Sequence, residues 1–393
     1  MQKVNICELP LKAMAMLTHF NQSHFHLTST YLFSTVSIIL TRITEKGETM
    51  LEGSYTAIVT PFDGDAVDYD GLKKLIDFQI VNGVSGVLAV GTTGESPVLT
   101  WQEHNLVVEA VSSHTRNKCR CIAGTGSNNT REALTATEHA VKAGVDAVLL
   151  VDPYYNGPSS LEIRREYVAP VAKAFPDVQV IPYVIPGRTG AQLLPEDLAL
   201  LNKAYPNVAT VKEATGNLEN MKRTRACCGP DFTILSGDDG MTYAMMTDSQ
   251  IKAVGVISVA SNVAPGAVAR MVQLLRQGEE NEARQLSTAL EPLFGLVTVK
   301  TTEKTPFGDV VCRARNPLAI KALMTILGMP SGGCRRPLGK MTRKGIDTVL
   351  AAARTIQTQH PEIFAPVEDF FEVNISERLE NPALWKNLCY GEY

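Results

Sequence analysis

The chain has 393 residues, 45% hydrophobic and 20% charged, with a net charge of -4. That balance describes a globular protein with room for one large α/β unit plus additions, and it gives no electrostatic case for nucleic acid or an anionic membrane surface. Eight cysteines (Cys7, Cys119, Cys121, Cys227, Cys228, Cys312, Cys334 and Cys389) keep neither zinc spacing nor a small-scaffold disulfide framework, so reduced thiols in a cytoplasm are expected; no run of residues has the length of a transmembrane helix.

Residues 1–49 differ from the rest of the chain. They hold an apolar patch from Tyr31 to Leu40 and a cluster of His19, His24 and His26, without turn-punctuated alternation of strand and helix. No acid or cysteine is spaced to complete a metal site, so no metal is expected there. The charged-apolar-cleavage order of a signal peptide is poorly kept, and the segment reads as a loose extension or as the product of a start upstream of Met50.

From Gly53 a regular alternation begins. Strands are predicted at Tyr55–Thr60, Gly86–Gly91, Cys121–Gly126, Ala147–Pro153, Val178–Pro186, Ala209–Ala214, Phe232–Gly237 and Ala253–Ala260, each followed by a segment with helical spacing. The first helix carries Leu72, Leu75, Ile76 and Phe78 on one stripe; the third carries Ala133, Ala136, His139, Ala140 and Ala143 behind Thr130 as its cap. Eight repeats are the number that closes, so the expected fold is α/β, a (β/α)8 TIM barrel over residues 50–277. A helical region over 278–361 and an acidic tail over 362–393 are expected to follow.

In such a barrel the carboxyl ends of the strands build the active site. After the second strand, Gly91-Thr-Thr-Gly-Glu-Ser96 either cradles a carboxylate through Thr92, Thr93 and backbone N–H groups or merely caps the next helix. The fourth strand ends in Asp152-Pro-Tyr-Tyr-Asn156, where the tyrosines suit packing as well as chemistry. Tyr183 stands on the fifth strand, ahead of a loop in which proline and glycine constrain Arg188, a guanidinium suited to bidentate carboxylate binding. The sixth strand places Thr210, Lys212 and Ala214 on one face. Read alone, Lys212 is a strand-end lysine that snorkels to water; buried, it has a lowered pKa and a free amine for Schiff-base chemistry.

Taken in order, Ala57–Pro61, Gly91–Ser96, Ala123–Gly126, Pro153–Asn156, Pro186–Gly190, Val211–Asn217, Leu235–Asp239 and Gly255–Val259 resemble the motifs of the dihydrodipicolinate synthase family of pyruvate-dependent class I aldolases. Arg188 within Gly187–Gly190 is similar to the synthases rather than to the sialic acid lyases of that superfamily. The resemblance implies that Lys212 forms a Schiff base with pyruvate, that Tyr183 relays protons, and that Thr93 links it to Tyr155, which reaches a neighbouring subunit's site. It implies that Thr92 and Thr93 hold the pyruvate carboxylate, that Arg188 binds the carboxylate of L-aspartate-4-semialdehyde, and that Gly237 and Ile257 line the site through their backbone. No cofactor beyond the covalent imine is implied. The assembly would be a homotetramer, a dimer of dimers, with L-lysine as a feedback inhibitor at Ser96, Trp101, His104, Asn128, Glu132 and Tyr154.

Three places depart from the family. Val184 stands where asparagine commonly follows the tyrosine, Val297–Arg315 replaces a shorter segment with one carrying Lys300, Lys304, Arg313 and Arg315, and the tail has no counterpart. The alternatives are another pyruvate aldolase of this fold, which Val184 favours and Arg188 opposes, and a non-catalytic paralogue, which would have lost the lysine or a relay hydroxyl.

Overall fold

A computed structural model describes residues 51–393; the apolar patch, histidine cluster and start-site reading of the first segment lie outside the described residues. Eight parallel strands close into a barrel: β1 (Gly53–Ala57), β2 (Gly86–Ala89), β3 (Arg120–Gly124), β4 (Ala147–Val151), β5 (Gln179–Val184), β6 (Thr210–Glu213), β7 (Thr233–Ser236) and β8 (Gly255–Ser258). Each hydrogen-bonds to its neighbours in sequence, and β1 closes the ring against β8. The closure is tight: a Cβ on Gly255 would lie 2.0 Å from the Gly53 carbonyl oxygen, so only glycine fits.

The strands are buried on both faces, which is why they read as apolar runs. Alternation sends Tyr55, Leu88, Ile122, Leu149, Ile181, Leu235 and Ile257 into one cluster that fills the barrel. Val87, Val148, Val180, Val211, Ile234 and Val256 face the other way, into the cluster shared with the helices.

Those helices are α1 (Tyr69–Val81), α2 (Trp101–Thr115), α3 (Thr130–Ala143), α4 (Ala169–Ala174), α5 (Pro195–Ala204), α6 (Leu218–Cys228), α7 (Thr242–Thr247) and α8 (Pro265–Gln277). Helix α1 buries Leu72, Leu75, Ile76 and Phe78 as expected. The cap of α3 is Asn129 and not Thr130; its side chain accepts from the Arg131 N–H at 3.0 Å. His139 also leaves the predicted stripe. Thr137 takes the buried position and bonds to Thr125 at 2.9 Å, while His139 turns to Glu109.

The C-terminal region is not purely helical. After α9 (Glu280–Phe294), β9 (Thr298–Thr305) and β10 (Gly308–Arg315) form an antiparallel hairpin, followed by α10 (Leu318–Leu327) and α11 (Arg343–Gln359). The stretch read as an acidic tail packs as well. Ile363, Val367, Phe371, Ile375 and Leu379 are buried, and Phe78 of α1 stacks on Phe370 and Phe371 at 5.3 and 5.1 Å between ring centres. No helix among the described residues is long and apolar enough to cross a membrane.

Candidate active site

Lys212 points into the barrel from β6 and is 5% exposed. Its Nζ lies 4.2 Å from the centre of the Tyr183 ring on the adjoining strand, with which it is in register. The aromatic face favours the ammonium. Burial opposes it and prevails, bringing the amine down to about 7; the nearby Asp239 carboxyl pulls it up and Arg188 pushes it further down. At pH 7 such an amine is about half deprotonated, against roughly 3 in 10,000 for an ordinary lysine. The same burial pushes the Tyr183 phenol up to about 12, so it holds its proton.

Above this pair lies a cavity of about 230 Å³ lined by Gly91, Thr92, Tyr183, Ile185, Arg188 and Tyr154 among others. Lys212 does not line it directly; Tyr183 does, and the amine sits against that ring. Gly237 leaves room for the lysine, since a Cβ there would come within 3.1 Å of its Cγ and Cε. Ile257 belongs to the barrel cluster beside Tyr55.

The Gly91–Ser96 loop is held in a strained shape. Val90 and Glu95, which bracket its turn, have φ of 46° and 57°, a region that side chains with a Cβ seldom enter. Long-range contacts hold it there, among them the Arg335 N–H, which donates to the second Glu95 oxygen at 2.9 Å. The Glu95 carboxylate pairs with Lys321 Nζ at 2.7 Å, both side chains being almost wholly buried, and Asn316 Nδ2 donates to Thr93 Oγ1 at 2.9 Å. Thr93 is placed otherwise than expected: its hydroxyl accepts from Asn316 and it does not line the cavity, whereas Thr92 lines the cavity and hydrogen-bonds to the Tyr183 side chain.

Arg188 stands in a single helical turn, Pro186–Thr189, ended by Gly190 at φ 67°. Burial, with the neighbouring Arg315, holds its guanidinium below the ordinary value. Val184, by contrast, points outward into the helix-facing cluster, so the substitution there removes no polar group from the cavity. Sequence reasoning passed over two supports. The Asp239 carboxylate accepts from the N–H groups of Val259 and Ala260 at 2.9 and 3.0 Å, fixing the end of β8 beside Lys212. Asn316, from beyond the barrel, fixes Thr93.

Tyr155 is 86% exposed and lines neither this cavity nor the one beside it. The six residues expected to bind L-lysine do converge. Ser96, Trp101, His104, Asn128, Glu132 and Tyr154 line a second cavity of about 210 Å³, which shares Ser96, Pro97, Gly126 and Tyr154 with the first. His104 Nε2 donates to the Gly124 carbonyl at 2.9 Å, and burial lowers its pKa, which keeps the ring neutral. One Glu132 oxygen accepts from Ser127 Oγ at 2.5 Å, and Asn128 Oδ1 accepts from the Tyr154 N–H at 2.7 Å. The buried Tyr167 hydroxyl accepts from the Ser127 N–H and donates to the Val151 carbonyl, bridging the walls of both cavities.

The sequence profile of the Dihydrodipicolinate synthetase family matches residues 50–356. A 4-hydroxy-tetrahydrodipicolinate synthase of Methanococcus maripaludis (strain S2) is 41% identical over 291 residues, 74% of this chain and 93% of the relative. The solved 4-hydroxy-tetrahydrodipicolinate synthase of Methylacidiphilum fumariolicum SolV superposes with a TM-score of 0.72 at 33% identity, covering 82% of this chain and 99% of that one. The enzyme of Cyanidioschyzon merolae with lysine bound does so with a TM-score of 0.70 at 35% identity, covering 77% and 97%. With a lysine buried in a closed barrel, and matched over this span and at these identities, the chain is a member of the dihydrodipicolinate synthetase family.

Proposed function

We propose that the chain condenses pyruvate, held as a Schiff base on Lys212, with L-aspartate-4-semialdehyde to give 4-hydroxy-tetrahydrodipicolinate, the reaction for which its relatives are named and a step toward diaminopimelate and lysine. The observation that carries this reading is the Lys212 amine buried against the Tyr183 ring, under a cavity that holds Arg188 and Thr92. The amine attacks the pyruvate ketone, and loss of water leaves the imine. The imine then draws electrons from the methyl carbon, which loses a proton and becomes an enamine. The enamine attacks the aldehyde, and the acceptor's own amino group displaces Lys212 and closes the ring. Tyr183, which keeps its proton, is the acid for loss of water, with Thr92 as the hydroxyl that passes protons on. The steps draw on the chain's own lysine and need no added cofactor.

Tyr155 completes the relay only from a neighbouring subunit, and its exposure is what such a role requires. The assembly proposed is a dimer of dimers; a monomer in sedimentation velocity would remove that role. The site of action proposed is the cytoplasm, in keeping with described cysteines that form no disulfide. A coupled assay with pyruvate and aspartate semialdehyde, with other aldehydes as controls, tests the reaction, and absence of turnover overturns it.

Arg188 supports the acceptor assignment, because a guanidinium at the cavity wall binds a carboxylate through two parallel hydrogen bonds. Arg188→Ala is expected to weaken use of aspartate semialdehyde by roughly 1.5–3 kcal/mol while imine formation with pyruvate survives. Equal loss in both steps would mark a folding defect.

The second cavity is proposed to bind L-lysine. Glu132 would take its ammonium, Asn128 Nδ2 and the Tyr154 hydroxyl its carboxylate, and Trp101 its methylene chain. The wall shared with the first cavity gives a short physical route between the two. Millimolar L-lysine is expected to inhibit turnover, and Glu132→Ala to relieve that inhibition. An uninhibited parent protein removes the site, and inhibition that survives the substitution moves it elsewhere.

A further inference from the structure

Four cations that the active-site reading leaves unused, Lys300, Lys304, Arg313 and Arg315, share one face of the β9–β10 hairpin. The register sets this. Lys300 stands opposite Arg313 and Thr298 opposite Arg315, while Lys304 faces Asp309, the single acid on that face. The other face carries Val299, Thr301, Cys312 and Ala314, and β9 lies against α11. A slip of one residue would expose Val299, now 4% exposed, so the cationic face is fixed in orientation.

The end of that face meets the mouth of the barrel. Arg315 Nη1 donates to the carbonyl of Gly187 at 3.2 Å, next to Arg188, and the following residue, Asn316, holds Thr93. The two guanidinium groups are near enough to repel each other. None of the ion pairs among the described residues uses either of them. Adjacent cations without a counter-charge repel, and an anionic group bound beside them relieves that cost.

Resting on the assignment of Arg188 to the acceptor, we propose that Arg315 is a specificity-determining residue for that substrate: its charge adds to that of Arg188, so that the site selects aldehydes bearing a carboxylate. The bond to Gly187 sets the spacing of the two cations. Thr92, on the pyruvate side, belongs to a different loop, which separates the effect on acceptor from the effect on donor.

Arg315→Met is expected to raise KM for aspartate semialdehyde about tenfold and to leave kcat within about twofold, the signature of lost ground-state binding. KM for pyruvate and the borohydride-trapped pyruvate adduct should not change. Arg315→Lys keeps the charge but not the fork, and should stay within about threefold of the parent. A lysine variant as weak as the methionine one would assign Arg315 to loop positioning and overturn the charge role. So would an unchanged KM for the acceptor, or an equal loss toward pyruvate. A parent protein that does not consume aspartate semialdehyde would instead remove the acceptor assignment itself, so the two failures can be told apart.

Discussion

Lys212→Ala protein, mixed with pyruvate and borohydride, should form no covalent adduct, and its turnover should fall by roughly 10³-fold or more, the scale on which removing a covalent nucleophile acts. No other lysine among the matched motifs stands at a barrel-strand end. Folded variant protein that still traps pyruvate would falsify the assignment. The pH dependence has a definite sign. With the folded pKa lowered from 10.5 to about 7, adduct formation by the parent should rise with pH up to about 7 and level off above it. Between those two values the unfolded chain binds a proton that the folded one lacks, so this lysine's cost to stability is largest below pH 7 and fades as pH rises toward 10.5. Lys212→Met, free of that cost, should therefore be at least as stable as the parent at pH 6, which separates lost chemistry from lost folding.

Lys321→Met should destabilise the protein by up to about 3–5 kcal/mol, because it removes the ammonium paired with a buried carboxylate and leaves Glu95 only the Arg335 N–H and a guanidinium already paired with Glu103. The ammonium it removes bonds to Glu95 at 2.7 Å and to the Thr60 carbonyl at 2.9 Å, with side-chain exposures of 0% for Lys321 and 2% for Glu95. Glu95→Gln combined with Lys321→Met removes both charges and should recover a good part of the loss. Denaturant unfolding of parent, single and double variants measures this. A single variant within about 1 kcal/mol of the parent would show that the pair does not hold the Gly91–Ser96 loop. The loss should also reach the active site, since Glu95 ends the strained turn that presents Thr92.

The barrel was legible because each strand is buried on both faces and therefore reads as a short apolar run between turn residues. Lys212, Tyr183 and Arg188 were legible because each sits at or just beyond the end of such a run. Thr92 and Thr93 were told apart only by structure, for adjacent hydroxyls in a loop bracketed by positive φ can face either way. The ion pair of Glu95 with Lys321 joins residues too far apart in sequence for any local pattern to show. The β9–β10 hairpin carried a signal in the β-branched runs Thr298–Thr302 and Val310–Val311 on either side of the Pro306-Phe307-Gly308 turn. The stretch beyond Glu362 was hidden by its acids, although Ile363, Val367, Phe371, Ile375 and Leu379 recur every fourth residue.

The stacking of Phe78 on Phe370 and Phe371 bears on how the chain is made. Helix α1 is synthesised early, and the rings that pack on its Phe78 come from residues some three hundred positions later. At a synthesis rate of about 5–20 residues per second, that ring waits roughly 15–60 s for its partners. During that interval the nascent barrel presents phenylalanine to solvent and to other chains.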